Sequence, residues 1–130
     1  MTNTNYKTIA SKIKFEGRAF INGKYVDAID GEKFETINPA TGETLCSVAK
    51  CNSKDVDLAV KVSRKAFNSG VWSRTSPEFR KDVLLKFAEL LRSHGVENSV
   101  LECIDTGKLI GDCINEVAND APMHFQWYGE

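Results

Sequence analysis

The sequence lacks the features that mark membrane, exported or nucleic-acid-binding proteins. No stretch approaches the roughly 20 apolar residues that a transmembrane helix needs, and residues 1–11 are polar. We therefore expect no membrane span, no export signal and a cytoplasmic location. The 17 lysines and arginines are balanced by 18 acidic residues. With a formal net charge of -1, the chain offers no basic excess for binding nucleic acid.

Metal and phosphate motifs are also absent. The four cysteines, Cys46, Cys51, Cys103 and Cys113, include no C-x-x-C pair, so their spacing argues against zinc and thioredoxin-like sites. Without an export signal, we expect each to be a reduced, buried thiol that behaves as a small hydrophobe and is not catalytic. Neither G-x-G-x-x-G nor G-x-x-x-x-G-K-[ST] occurs, so the sequence predicts no phosphate-binding turn.

The strongest positive signal is an amphipathic helix that begins after Ser76. The Ser76 hydroxyl can accept a hydrogen bond from the first turn, and Pro77 suits the first helical position because it lacks an N–H. Apolar residues then recur at steps of three and four, which predicts one stripe that other elements cover. The stripe consists of Phe79, Val83, Leu84, Phe87, Leu90 and Leu91.

Short strands are predicted before this helix. Asn22-Gly23 separates two apolar pairs and tolerates positive φ at both positions, which predicts a tight β-hairpin. A second strand with one solvated face is predicted at residues 34–37. A turn at residues 38–43 and a short extended segment at residues 45–49 follow it.

Three further helical stretches complete the prediction. Asn52-Ser53 caps a helix that Gly70 ends. A shorter helix runs from Gly95 to Gly107, and helical tendency returns over residues 110–128, where Pro122 must interrupt or restart it. The predicted fold class is α+β, an N-terminal β-hairpin and short strands followed by a layer of amphipathic helices. The predicted inner face of the first of these helices is Val56, Ala59, Val60, Ser63, Ala66 and Phe67.

A set of motifs in fixed order resembles the N-terminal segment of the NAD(P)-dependent aldehyde dehydrogenases, over about residues 18–130. The pattern around Asp120-Ala121-Pro122 and Trp127-Tyr128 is similar to the branch that acts on γ-glutamyl-aminobutyraldehyde and related amino-aldehydes. The motifs are Phe20-Ile21-Asn22-Gly23-Lys24, Ile37-Asn38-Pro39-Ala40-Thr41-Gly42-Glu43, Arg64-Lys65-Ala66-Phe67, Trp72 and Asp105-Thr106-Gly107-Lys108.

The resemblance implies a division of labour along the chain. Residues 1–17 would be an N-terminal arm, and residues 18–130 the truncated N-terminal part of an α/β cofactor-binding domain. In the family, the dinucleotide-binding units, the general base and the nucleophilic cysteine come later in the chain. The resemblance therefore implies no catalytic and no cofactor-binding residue here. The full-length family uses NAD or NADP, and none is expected to bind this chain alone.

One site is implied by the same resemblance. Family members often hold a monovalent cation near the Asn-Pro turn and the aspartate of the Asp-Thr-Gly-Lys segment. The matching groups are Thr36, the Ile37 carbonyl and the Asp105 carboxylate, and oxygen ligands of this kind suit hard cations. The alternative for Asp105 is a helix-end carboxylate bonded to nearby backbone N–H groups. A further ligand would come from outside the chain.

Two functions of different class follow. In the first, the chain is an inactive fragment of an enzyme that oxidises an aldehyde to a carboxylic acid with NAD(P)+. In the second, it is a stand-alone, non-catalytic interaction protein that self-associates into an oligomer or pairs with a complementary chain. Exposed apolar faces and open strand edges would drive that association. The terminal pair Trp127-Tyr128 suggests that its partner surface lies in a missing C-terminal portion.

Overall fold

The computed structural model describes residues 4–130, which form two compact units. The helical unit contains residues 4–14, the loop Asn38–Glu43 and Ser76–Glu130. The strand unit contains Phe15–Ile37 and Thr44–Thr75. Short antiparallel strand pairs occur together with helices, which confirms the α+β fold class. Within residues 4–130, no helix has both the length and the apolar character needed to cross a membrane.

The strand unit begins with the predicted hairpin. Strands β1 (Ala19–Ile21) and β2 (Lys24–Val26) pair antiparallel. Asn22 and Gly23 join them with φ of 55° and 74°, the positive values that a two-residue hairpin turn requires. The hairpin prediction is therefore confirmed.

A second antiparallel pair follows, formed by β3 (Lys33–Ile37) and β4 (Thr44–Ala49). The register shifts between Thr36 and Ile37, as at a β-bulge, where one strand carries an extra residue. The expectation that β3 buries one face was wrong, because Phe34 is 51% exposed and Ile37 43% exposed. The bulge breaks the alternation at Ile37, whereas Phe34 is exposed within the regular part of the strand pair.

Helix α2 (Ser53–Ser69) has both of its predicted ends. The Asn52 side chain accepts from Lys54 N–H and the Asp55 side chain accepts from Asn52 N–H, which forms a reciprocal cap. Gly70 ends the helix with φ of 79°. In the turn that follows, Trp72 is 43% exposed.

The predicted inner face of α2 is not buried. Val56 is 57% exposed, and Val60 and Phe67 are each 61% exposed. The buried residue of this helix is instead Asp55, at 2% exposure. The prediction was wrong because α2 is anchored by hydrogen bonds at its N-terminus and its apolar stripe stays in solvent.

In the helical unit, α3 (Pro77–Ser93) packs along α6 (Ala121–Gly129). The Ser76 hydroxyl accepts from Phe79 N–H at 3.2 Å, so the predicted start is confirmed. Ala88, at 1% exposure, marks the face against α6. The prediction of a single covered stripe was wrong, because only part of it is covered. Leu84 and Leu91 are half-buried, whereas Phe79, Val83, Phe87 and Leu90 remain exposed.

The core of the helical unit surrounds α4 (Gly95–Thr106), which contacts α1 (Tyr6–Ala10), α5 (Ile110–Cys113) and a π-helical segment (Ile114–Asp120). Val100 is 2% exposed, and Ser99 and Cys113 are fully buried. The Ser99 hydroxyl lies 2.7 Å from the Gly95 carbonyl and 3.1 Å from the Cys113 carbonyl, as a donor to both. These two contacts give the buried Ser99 hydroxyl hydrogen-bond partners, without which its burial would be costly.

The last helical stretch changes character before Pro122, as predicted. The backbone is π-helical over Ile114–Asp120 and returns to α-helix at Ala121. Pro122 lies in the first turn of α6, directly after the π-helical segment, where the helix changes type around a residue that has no N–H to donate. Beyond it, Trp127 is 74% exposed and Tyr128 80% exposed.

Candidate functional site

The predicted cation ligands lie at the ends of two elements. Thr36 is half-buried in β3 and Ile37 is the last residue of that strand, directly before the Asn38 turn. Asp105 lies in the last turn of α4, where Gly107 ends the helix with φ of 75°. Thr36 and Ile37 belong to the strand unit and Asp105 to the helical unit. Their assembly into one ligand set stays a prediction.

The Asn-Pro turn has the geometry that its sequence predicts. The Asn38 side chain accepts from Ala40 N–H at 2.9 Å, and the Asn38 carbonyl accepts from Gly42 N–H at 2.8 Å. Gly42 has φ of 75°, a value that glycine adopts without strain. These bonds close residues 38–43 into a compact loop.

The helical unit brings two motifs of the resemblance together. A Cβ atom built on Gly107 would lie 2.8 Å from Pro39 Cγ, closer than real Cβ contacts come. Pro39 belongs to the Asn-Pro turn, and Gly107 to the Asp-Thr-Gly-Lys segment that carries Asp105. The resemblance assigns both motifs to one cation site; the two motifs are in contact, and the site itself stays a prediction.

A metal ion can also be held by a cluster of His, Cys, Asp or Glu side chains. Across the part of the chain that the structure describes, no three His, Cys, Asp or Glu side chains gather as metal ligands would. The predicted set of Thr36, Ile37 and Asp105 contains one carboxylate, with a hydroxyl and a backbone carbonyl, so this finding does not bear on it.

Sequence reasoning missed the role of Asp55 as a buried anchor. Its carboxylate accepts from Ile29 N–H at 2.9 Å and from Asn52 N–H at 2.9 Å, which ties α2 to the segment after β2. The spacing of Asn52 and Asp55, three residues apart, is the capping-box signal that could have revealed half of this role. The Ile29 bond spans 26 residues and has no local signal.

A second carboxylate extends this anchor. Asp30 accepts from Glu32 N–H at 3.0 Å and from the Asn52 side-chain amide at 2.6 Å. These hydrogen bonds, the one from Glu32 first, lower the pKa of the Asp30 carboxyl. Asp30 is exposed, so these two hydrogen bonds order the loop but contribute little to the free energy of unfolding.

All four cysteines lie among the described residues, and none is in a disulfide. Cys113 is buried, and Cys46 and Cys103 are half-buried. Burial raises the pKa of the Cys113 thiol, which keeps it protonated and unreactive. The expectation that each thiol is buried is met in full by Cys113 and in part by Cys46 and Cys103. It was wrong for Cys51, which is exposed because it lies in the loop directly before the α2 cap.

Sequence comparison finds clear relatives. The model of the aldehyde dehydrogenase family matches residues 25–130. Aldehyde dehydrogenase 1 of Tanacetum cinerariifolium is 53% identical over 106 residues, which cover 82% of this chain and 21% of that protein. Aminoacetaldehyde dehydrogenase of Pseudomonas aeruginosa is 39% identical over 130 residues, which cover 100% of this chain and 26% of that protein.

Solved structures share the fold. Indole-3-acetaldehyde dehydrogenase AldA of P. syringae, solved as a mutant with NAD+ and IAA, superposes with a TM-score of 0.91 at 40% identity, over 95% of this chain and 25% of that one. γ-Glutamyl-γ-aminobutyraldehyde dehydrogenase of Burkholderia cenocepacia J2315 gives the same TM-score, identity and coverage.

The chain spans about a quarter of the length of the relatives that it matches. Those relatives include dehydrogenases that are named for amino-aldehydes, as the resemblance around Asp120 and Trp127 predicts. The family model covers most of the chain, and the solved structures match nearly all of it. The chain belongs to the aldehyde dehydrogenase family.

Proposed function

We propose that this chain is the N-terminal scaffold of an NAD(P)-dependent aldehyde dehydrogenase that oxidises an aldehyde, of the amino-aldehyde class, to a carboxylic acid. The superposition on AldA, at a TM-score of 0.91 and 40% identity, carries this proposal. The family membership favours it over a stand-alone interaction protein. The scaffold supplies the two hairpins and a helical layer, and the chemistry belongs to the rest of the enzyme.

The N-termini of α2 and α3 are poorly suited to hold a dinucleotide phosphate. Phosphates are commonly held by open N–H groups at a helix N-terminus, after a glycine-rich turn. At α2 and α3 those groups are engaged, because the Asn52, Asp55 and Ser76 side chains accept hydrogen bonds there. We therefore propose that NAD(P)+ is held by other parts of the enzyme.

The cation site is part of the same proposal. Thr36, Ile37 and Asp105 would offer a hydroxyl, a carbonyl and a carboxylate to a monovalent cation, as hard oxygen ligands. The packing of Pro39 against Gly107, which places two of the relevant motifs side by side, supports this assignment. An Asp105→Asn variant should then need more K+ to reach full thermal stability in the whole enzyme.

A hybrid enzyme tests the proposal directly. This chain replaces the matching part of the P. aeruginosa aminoacetaldehyde dehydrogenase, to which it aligns over 130 residues. The hybrid should form NADH or NADPH when given aminoacetaldehyde, and the 130-residue chain alone should not. A folded hybrid without any aldehyde oxidation would overturn the proposal, and so would micromolar NAD+ binding by the chain alone in calorimetry.

A further inference from the structure

Helix α3 has two apolar faces, and one of them is already occupied. Along that face, a Cβ atom built on Gly129 of α6 would lie 3.2 Å from Leu84 Cβ and 3.4 Å from Leu85 Cδ2. Ala88, at 1% exposure, lies on the same face. This close approach of backbone to small and branched side chains is ordinary helix packing.

The other apolar face, which we call the α3 groove, is in solvent. It is lined by Phe79, Val83, Phe87 and Leu90, with Asp82 and Lys86 beside them. The four apolar side chains are between 40% and 49% exposed. Their spacing of four, four and three residues places them in one row about 17 Å long at 1.5 Å per residue.

The α3 groove is in contact with α6 at one aromatic pair. The Phe87 ring meets the Phe125 ring edge-on, with centroids 4.7 Å apart and an interplanar angle of 88°. This contact connects the groove to α6. A helix with apolar residues on opposite sides is typical of a buried position in a larger protein, and not of a surface.

The strand unit carries a similar face of its own. Val56, Val60 and Phe67 of α2 are more than half exposed. Val60 and Phe67 line one groove with Ala59 and Ser63. Two copies of the chain related by a two-fold axis share one patch per contact. A dimer through α3 would therefore leave the α2 face in water, so a second copy is a poor match to both faces.

We propose that the α3 groove is the docking surface for an apolar helix from the part of an aldehyde dehydrogenase that this chain does not contain. This inference rests on the proposed function. The solved relatives have most of their length outside the matched quarter, which supplies an occupant large enough for two faces. The partner helix presents apolar residues at the same spacing of three and four.

The charged residues beside the groove bear on how the partner helix is oriented. The Lys86 ammonium is already paired with the Glu89 carboxylate at 2.7 Å. Asp82 is the remaining acidic group beside the apolar row. A lysine or arginine on the partner helix, placed opposite Asp82, would set the direction of that helix on the groove more than its affinity.

The experiment uses the 130-residue chain with a tagged probe, the polypeptide that remains when the matched part is removed from the P. aeruginosa aminoacetaldehyde dehydrogenase. The two are co-expressed and the complex is recovered through the tag. Val83→Asp/Leu90→Asp places two charges in the groove, and Lys81→Asp puts the same residue at an exposed position of α3 outside it. Circular dichroism melting of each chain alone reports on folding.

The native chain and Lys81→Asp should be recovered with the probe in equal amounts, and the double variant at least tenfold less, with an unchanged melt. Equal recovery of all three would overturn the groove assignment and leave the proposed function standing if the hybrid enzyme is active. A chain that forms dimers, which the double variant abolishes, would make a second copy the occupant and also overturn it. Recovery with an inactive hybrid supports the groove and contradicts the proposed function.

Discussion

Helices α2 and α4 are both amphipathic in sequence, yet their own units hold them in different ways. Helix α4 buries Gly95, Ser99 and Val100 against its neighbours in the helical unit. Helix α2 buries only Asp55, through two hydrogen bonds at its first turn. One helix is fixed along its length by packing, and the other at one end by a carboxylate.

This difference shows that an apolar stripe does not by itself say what a helix contacts. The stripe of α2 stays in solvent, and Val60 is 61% exposed. The buried face of α4 includes a glycine and a serine, which no hydrophobic pattern would select. A helix held at one end should depend heavily on a single residue, whereas one held along its length should be sensitive to small changes of volume.

The largest effect is expected for Asp55→Ala. The change leaves the N–H groups of Ile29 and Asn52 without their acceptor, and each was bonded at 2.9 Å. Loss of hydrogen bonds to a buried charged group should lower the free energy of unfolding by about 3 kcal/mol. Chemical denaturation followed by circular dichroism measures this, and hydrogen exchange should show that the Ile29 amide loses protection.

Asp57→Ala is the matched control, since Asp57 is an exposed aspartate on the same helix. It should change the free energy of unfolding by about 0.5 kcal/mol or less. Equal effects of the two variants would show that general helix electrostatics, and not the bonds to Ile29 and Asn52, hold α2.

A smaller effect is expected for Gly95→Ala, which tests the packing of α4. The new Cβ would lie 2.8 Å from Ala118 Cβ and 2.9 Å from Ala118 Cα. Because backbone atoms cannot yield as a flexible side chain does, overpacking should lower the free energy of unfolding by about 1–3 kcal/mol. Thermal melting of the purified chain provides the measurement.

Gly111→Ala is the comparison variant, for which the expected change in the free energy of unfolding is zero or of opposite sign. Gly111 lies in α5 and no atom lies within 4 Å of its added Cβ. Alanine favours helix over glycine by up to about 1 kcal/mol, so this variant should be neutral or stabilising. If both alanine variants are destabilised, the loss of stability comes from the change in backbone freedom and not from the contact with Ala118.

The smallest effect concerns the Glu16–Arg18 pair, which is exposed in the strand unit. Hydrogen bonds from the Arg18 side chain, one of 2.8 Å, lower the pKa of Glu16 from 4.5 to about 2. Because the folded pKa lies below the unfolded value, any stabilisation is complete above pH 4.5 and is lost as pH falls towards 2.

Proton titration by NMR measures the Glu16 carboxyl directly, and Arg18→Gln should return its pKa towards 4.5. The stability change should be slight, since the pair is solvated and screened by salt. An unshifted Glu16 in the native chain would show that the ion pair does not persist in solution.

Local features of this fold could be predicted from sequence because each depends on a few neighbouring residues. The Asn22-Gly23 turn, the Asn52 and Ser76 caps and the Gly70 terminus all follow from backbone preferences within a few positions. The change of helix type before Pro122 follows from the missing N–H of proline. Each is also a property that survives when distant parts of a protein change.

Features that depend on distant residues could not be predicted. Periodicity marks apolar residues of α3 but does not say that Ala88 is covered while Phe79 is exposed. The bond from Ile29 to Asp55 joins segments with no shared pattern. For the candidate site, sequence places Asp105 near a helix end, but the contact of Pro39 with Gly107 required the fold.

The placement of the two tryptophans has an optical consequence. Trp72 belongs to the strand unit and Trp127 to the helical unit, and the two are 43% and 74% exposed. Each unit therefore carries its own intrinsic fluorophore, and both should emit at the red end of the indole range. Replacing Trp127 by phenylalanine leaves Trp72 as a spectroscopic reporter for one unit, and the reverse exchange isolates the other.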